Sequence, residues 1–327
     1  MKFPVLLAAA ALAGCQSAVT QPDAADASLR LATWNMGTLV APGALAALKE
    51  NCLPKDAATP VGERRIACDA FAKIERSEAD FAALTRYAQA LDADVLALQE
   101  VDGPGAAKLV LAGYQFCFSA STRVQNTGFA IRTGIPYRCG EDLASVSLDD
   151  GLARGAQLVV YPGEAREMHL LAIHLQYGCG RAPLNEQRAA CTTLARQVPA
   201  LKQWIDGQVA AGHAFAVLGG FNRDFATDTG PARNGVGELV GFWSEINRAS
   251  EPGSRLVNTV EGHAYIGCTP AQNYPGYFDQ VVLSQPLAQR RKSDALVRIT
   301  YDPVEAKNLK LANQCPVGID LDMAKKN

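Results

Sequence analysis

Five polar side chains stand at the ends of apolar runs. His174 closes Leu170–Ile173, and Asn222 follows Phe215–Leu218 across Gly219-Gly220-Phe221. Glu100 emerges after Val95–Leu98, Asn35 ends an alternating segment that begins at Arg30, and Asp279 opens the run to Leu283. Polar groups at the carboxyl ends of buried strands are a common way for α/β folds to assemble a site. A carboxylate with an amide beside it can hold a Mg²⁺-type ion that keeps most of its waters. An imidazole with amide donors can stabilise charge on a phosphate-like anion.

These residues sit in segments that carry a resemblance. His174-Leu175-Gln176-Tyr177-Gly178-Cys179, a helix, and then Val217-Leu218-Gly219-Gly220-Phe221-Asn222-Arg223 resemble the endonuclease/exonuclease/phosphatase superfamily. Trp34-Asn35, Leu98-Gln99-Glu100-Val101, Phe278-Asp279-Gln280-Val281 and Asn313-Gln314-Cys315-Pro316-Val317 follow its order. The likeness runs from about Leu31 to Leu321. It implies an α/β fold, a four-layer α/β/β/α sandwich of two packed mixed sheets with the site at one end. It also implies hydrolysis of phosphoesters with Mg²⁺ or Mn²⁺. Carried over, Asn35 and Glu100 are the metal-side groups and His174 and Asn222 contact the phosphate. Asp279 orients position 314, and Arg154 lies where a basic residue approaches substrate.

Three positions depart from that pattern. Gly220 stands where the superfamily has the water-activating Asp, Asn313 where it has a metal-side Asp, and Gln314 where it has a phosphate-contacting His. Each loss of an acid–base group costs about 10²–10⁴-fold in rate. Two expectations of different class follow. One is a pseudoenzyme that keeps the fold and binds a phosphorylated small molecule or nucleic acid, or serves as a structural lipoprotein. The other is an active phosphodiesterase, nuclease or phosphatase with a rewired site, in which Asp224 is the candidate replacement.

Composition suits one large domain or two small ones: 327 residues, 48% hydrophobic and 20% charged, with net charge −2; the motif segments interleave along the whole chain, which favours a single domain. The basic footprint usual for nucleic-acid binding is missing, apart from Gln289-Arg290-Arg291-Lys292, which reads as a solvated loop. Residues 1–14 read as a targeting segment: Lys2, then a short apolar run, then small residues before Cys15. Leu12-Ala13-Gly14-Cys15 resembles a bacterial lipobox. That likeness implies acylation of Cys15 and an outer-membrane address; the Ala-, Asp- and Ser-rich stretch that follows, without periodicity, reads as a flexible tether over 15–28 ahead of a domain over 29–327.

Eight further cysteines in an exported chain predict a disulfide framework, for which about 105 pairings exist. The sequential set 52–68, 117–139, 179–191 and 268–315 is the expected one.

The elements that must position the site are legible in outline. Ser77–Asp80 resembles a capping box ahead of a helical pattern through Leu91. Thr127–Arg132, Gln157–Tyr161, Met168–His174, Phe215–Leu218, Phe278–Leu283, Val297–Tyr301 and Val317–Leu321 read as strands. Leu194, Val198, Leu201, Ile205 and Val209 predict a helix kinked or restarted at Pro199. His169 and His263 read as structural.

Overall fold

The computed structural model describes residues 28–55, 57–60, 62–148, 152, 154–248, 254–268 and 276–324. Cys15, the targeting segment before it and the tether up to residue 27 lie outside the described residues. The apolar runs become two six-stranded sheets. The first has the order β11 (Arg291–Arg298), β12 (Val317–Asp322), β1 (Ser28–Leu39), β2 (Val95–Val101), β4 (Asn126–Arg132), β3 (Tyr114–Phe118). The second runs β5 (Tyr137–Cys139), β6 (Gly155–Val160), β7 (Met168–His174), β8 (Phe215–Gly220), β10 (Asp279–Leu283), β9 (Val257–Asn258).

Each sheet is mixed, with one parallel pair at its centre: β1 with β2 and β7 with β8. Side chains alternate across a strand, so every central strand buries two faces. Leu31, Ala97 and Ile131 meet Leu158, Ala172 and Leu218 between the sheets. The opposite faces, with Trp34 and Leu96 in one sheet and Ile173 and Val217 in the other, lie under helices. The helix Glu78–Leu91 covers the first through Leu84, Ala88 and Leu91; the helix Ala189–Ala210 covers the second through Leu194, Val198 and Leu201. The four-layer sandwich expected from the sequence is the observed architecture.

Local signals held where they were strongest. Ser77 accepts from the Asp80 N–H while Asp80 accepts from the Ser77 N–H, a complete capping box. All four disulfides join the sequential pairs. Other expectations need correction. Ala189–Ala210 is one continuous helix with Pro199 inside it, so no second helix begins there; its apolar stripe packs on sheet two on both sides of the proline. The late strand lies at Arg291–Arg298 instead of Val297–Tyr301. The basic run is no loop: Arg290 is buried, while Arg291 and Lys292 begin an edge strand whose charged residues discourage further pairing. Among the described residues no helix is long and apolar enough to cross a membrane.

Candidate functional site at the carboxyl ends of the parallel strand pairs

The two parallel pairs end on the same side of the sandwich, and His174 Nε2 lies 3.6 Å from Glu100 Oε1 across the gap between sheets. Glu100 is aimed there by its backbone. Its φ is +57°, and the β2 register with β4 slips between Leu98 and Val101. A non-glycine residue held in this region stores about 1–3 kcal/mol of strain.

Three neutral groups donate to the Glu100 carboxylate. Asn35 Nδ2 reaches Oε1 at 3.0 Å; Thr38 Oγ1 and Gln125 Nε2 reach Oε2 at 3.0 and 3.1 Å. Asn35 Oδ1, the atom a cation would use, accepts the Gly37 N–H at 2.9 Å. Asn313 lies exposed, its backbone against the turn at Gly37. The family resemblance implies a divalent metal, and the donor set does not fit one. Both oxygens of the Glu100 carboxylate and Asn35 Oδ1 already accept hydrogen bonds, so the atoms that would face a cation are engaged, and Asn313 stands where the resemblance places a second carboxylate.

The two adjacent glycines differ in kind. Gly219 has φ +133°, and a Cβ there would meet Ile173 O at 2.1 Å, so the backbone requires glycine. Gly220 is outside the left-handed region. Its missing Cβ would sit 3.0 Å from His174 Cδ2 and 3.2 Å from Asp279 Oδ1. The His174 ring therefore crowds the space a carboxylate at 220 would use. Asn222, at φ +53°, donates Nδ2 to Leu175 O at 2.8 Å. Arg154 is buried and donates Nη1 to His174 O at 2.9 Å, so it braces the end of β7.

Asp279 pairs with Gly220 across β8 and β10 and is fully enclosed. With its amide turned nitrogen-first, Gln314 donates to both Asp279 oxygens, one of them at 3.0 Å. The opposite amide orientation suits a protonated Asp279, which would donate to Gln314 Oε1. Burial raises the Asp279 pKa to about 7, with Glu100 adding to the rise and Arg298 opposing it. Trp34 Nε1 and the Tyr301 hydroxyl both bond to Gln314 O, at 3.0 and 2.7 Å, which fixes this segment.

The Asp279 shift has a sign for stability. In the unfolded chain the group titrates near 3.8, so the native state holds the proton more tightly. Stability therefore falls as pH rises from about 3.8 to about 7, and the loss is complete above that. Asp279→Asn should melt with the native chain at the acid end and above it beyond neutrality. Melting curves for both proteins across this range check it; a difference independent of pH would remove the assignment.

Beside the site lies a cavity of about 420 Å³, lined among others by Arg181, Asp224, Trp243, His263, Tyr265 and Tyr277. Tyr265, Gly276 and Tyr277 also border a small recess that reaches Asp279, Arg298 and Gln314. Asp224 faces this cavity and is bound by Arg181 at 2.8 Å. Its carboxylate is thus engaged by Arg181, and the side chains nearest the Gly220 position are His174, Asp279 and Asn222. Arg223 and Asp224 are both buried and do not pair with each other at the surface; Arg223 pairs with Asp228 at 3.2 Å. His263 is at the rim of the cavity, not in the core. Thr38 and Gln125, which hold Glu100, lie in segments without a motif.

A model described as the Endonuclease/Exonuclease/phosphatase family matches residues 32–295, ending before Asn313. None of the curated protein sequences matches the chain. Solved structures resemble the fold at low identity. An AP endonuclease from Archaeoglobus fulgidus superposes with a TM-score of 0.53 at 13% identity, covering 90% of this chain and 99% of its own. Truncated TDP2 from Caenorhabditis elegans gives 0.51 at 13%, covering 90% and 98%. An AP endonuclease from Leishmania major gives 0.50 at 17%, covering 91% and 89%. The sandwich, its site-bearing strand ends and the family match over most of the sequence agree: this chain belongs to the endonuclease/exonuclease/phosphatase family.

Proposed function

We propose that this chain is a family member that has lost phosphoester hydrolysis and keeps its cleft for binding an anionic, phosphate-bearing ligand. Residues 29–327 would act as one domain, carried to the cell envelope by acylated Cys15. The observation that carries the reading is Gly220. It has no side chain to activate water, its space is bordered by His174 and Asp279, and the Asp224 carboxylate is engaged by Arg181. Glu100 surrounded by donors and Gln314 in place of an imidazole point the same way. The neighbouring cavity, with Tyr265, Tyr277, His263 and Arg181, suits the organic part of a phosphate ester.

The test uses the full chain in detergent with an aryl phosphodiester and Mg²⁺ or Mn²⁺. The expected rate is that of the protein-free solution. Inorganic phosphate or an aryl phosphomonoester should raise the melting temperature through linkage, and His174→Ala should abolish that rise. Metal-dependent turnover would overturn the reading.

One observation favours the second reading, a rewired hydrolase. Asp279 titrates near neutrality and stands 3.2 Å from the position of a Gly220 Cβ, so it is placed to accept a proton there. In that case the native chain turns over substrate and Asp279→Asn stops it.

A further inference from the structure

A second group of ligating side chains lies at the other end of sheet two. Glu167 precedes β7, His169 is its second residue, and His213 precedes the parallel strand β8. His169 pairs with Phe215 in the β7–β8 register, which sets His213 beside it although the two are far apart in sequence. Five residues of strand separate His169 from His174, about 17 Å at the usual rise. This group is therefore remote from the cleft.

One ligand atom from each of the three side chains lies within 4.8 Å of the other two. His169 Nε2 is 2.8 Å from Glu167 Oε1, and the two imidazoles stack at 3.8 Å, tilted by 11°. A tetrahedral site with bonds of about 2.0–2.1 Å has donor atoms about 3.4 Å apart. Binding an ion requires the two stacked rings to turn out of parallel, so that their in-plane lone pairs converge.

The surrounding contacts orient the donors as the partners of metal ligands do. His213 Nδ1 faces Gln208 Oε1 at 2.8 Å, a partner that suits the tautomer with the proton on Nδ1 and the lone pair on Nε2. Glu167 Oε2 accepts the Gly163 N–H at 2.5 Å, which leaves Oε1 turned to His169. The three side chains are partly exposed, so water can complete the coordination.

We propose that Glu167, His169 and His213 form a binding site for a borderline divalent cation of the Zn²⁺ class. Two imidazoles and one carboxylate suit Zn²⁺ and its late first-row neighbours, whereas Mg²⁺ and Ca²⁺ select oxygen donors. The bound ion would tie the turn between β6 and β7 to the junction of the long helix with β8.

The test uses the full chain, purified in detergent without a polyhistidine tag. Zn²⁺ is titrated against a chromophoric chelator, and Co²⁺ is added separately to read its visible ligand-field bands. The expected result is one equivalent of Zn²⁺ at micromolar or tighter affinity, with the intense Co²⁺ bands of a four-coordinate site. His169→Ala with His213→Ala should weaken binding at least about 100-fold, and Gln208→Ala about tenfold. Glu100→Gln should leave it unchanged. Absence of saturable Zn²⁺ binding by the native chain overturns the proposal, and so does loss of binding in Glu100→Gln but not in the double variant. The Co²⁺ spectrum of the native chain decides the matter if a variant fails to fold.

Discussion

Gly220→Asp, Asn313→Asp and Gln314→His together should raise metal-dependent hydrolysis of an aryl phosphodiester by about 10²-fold or more over the native chain. The three changes restore a water-activating carboxylate, a second metal-side carboxylate and a titrating group against Asp279. Their effects should be strongly non-additive, because each part is idle without the others. Gly220→Asp alone should stay silent and lose stability. Its Cβ would press on His174 Cδ2 at 3.0 Å, and its charge would join Asp279 and Glu100 in a confined space. In the triple variant an imidazole at 314 offsets that charge and gives Asp279 a cationic partner. Initial rates with Mg²⁺ and Mn²⁺ for native, single and triple proteins check this. A native chain as fast as the triple variant would sink it and turn attention to Asp279.

Arg76→Ala should remove about 3–5 kcal/mol of stability, read from urea unfolding. Arg76 is 8% exposed and donates to four carbonyls. Nε reaches Lys310 O at 3.0 Å and Nη1 Thr38 O at 3.0 Å, while Nη2 serves Met36 O and Gly37 O at 2.8 and 3.0 Å. These carbonyls belong to the end of β1, where Gly37 and Thr38 both have positive φ, and to the segment before Asn313. The guanidinium therefore clamps two site-bearing segments whose carbonyls lack regular partners. Removing it leaves several buried acceptors unpaired, each worth about 1–3 kcal/mol. Lys49→Ala, which breaks the exposed pair with Glu75 and a long cation–π contact with Phe71, should change stability by less than about 1 kcal/mol. A loss below that size for Arg76→Ala would show that water replaces the clamp.

Much of this molecule was readable from local pattern. Val95–Leu98 and Phe215–Leu218 could only be buried strands, and Ser77–Asp80 announced its helix. The residues at the strand ends did converge, with Asn35, Glu100 and His174 in contact and Asp279 against Gln314. Three short or partly exposed strands, β3, β5 and β9, carried no such pattern and escaped notice. So did Arg76, Thr38 and Gln125. A buried arginine and a loop glutamine look like surface residues until their partners are known.

By itself the sequence determined the buried strands, the capped helix and the vacancy at position 220, because periodicity, capping and residue identity are properties of neighbouring positions; the two-sheet architecture was implied by the family resemblance, and the sequential disulfides were one pairing among about 105. Tertiary structure alone decided that His174 borders that vacancy, that Asp224 is drawn to Arg181, that Arg76 clasps the β1 turn, and that His169 meets His213. Each of these depends on sheet register and on how two sheets face one another. Such contacts join residues widely separated along the chain, and their geometry is settled only when the whole core packs.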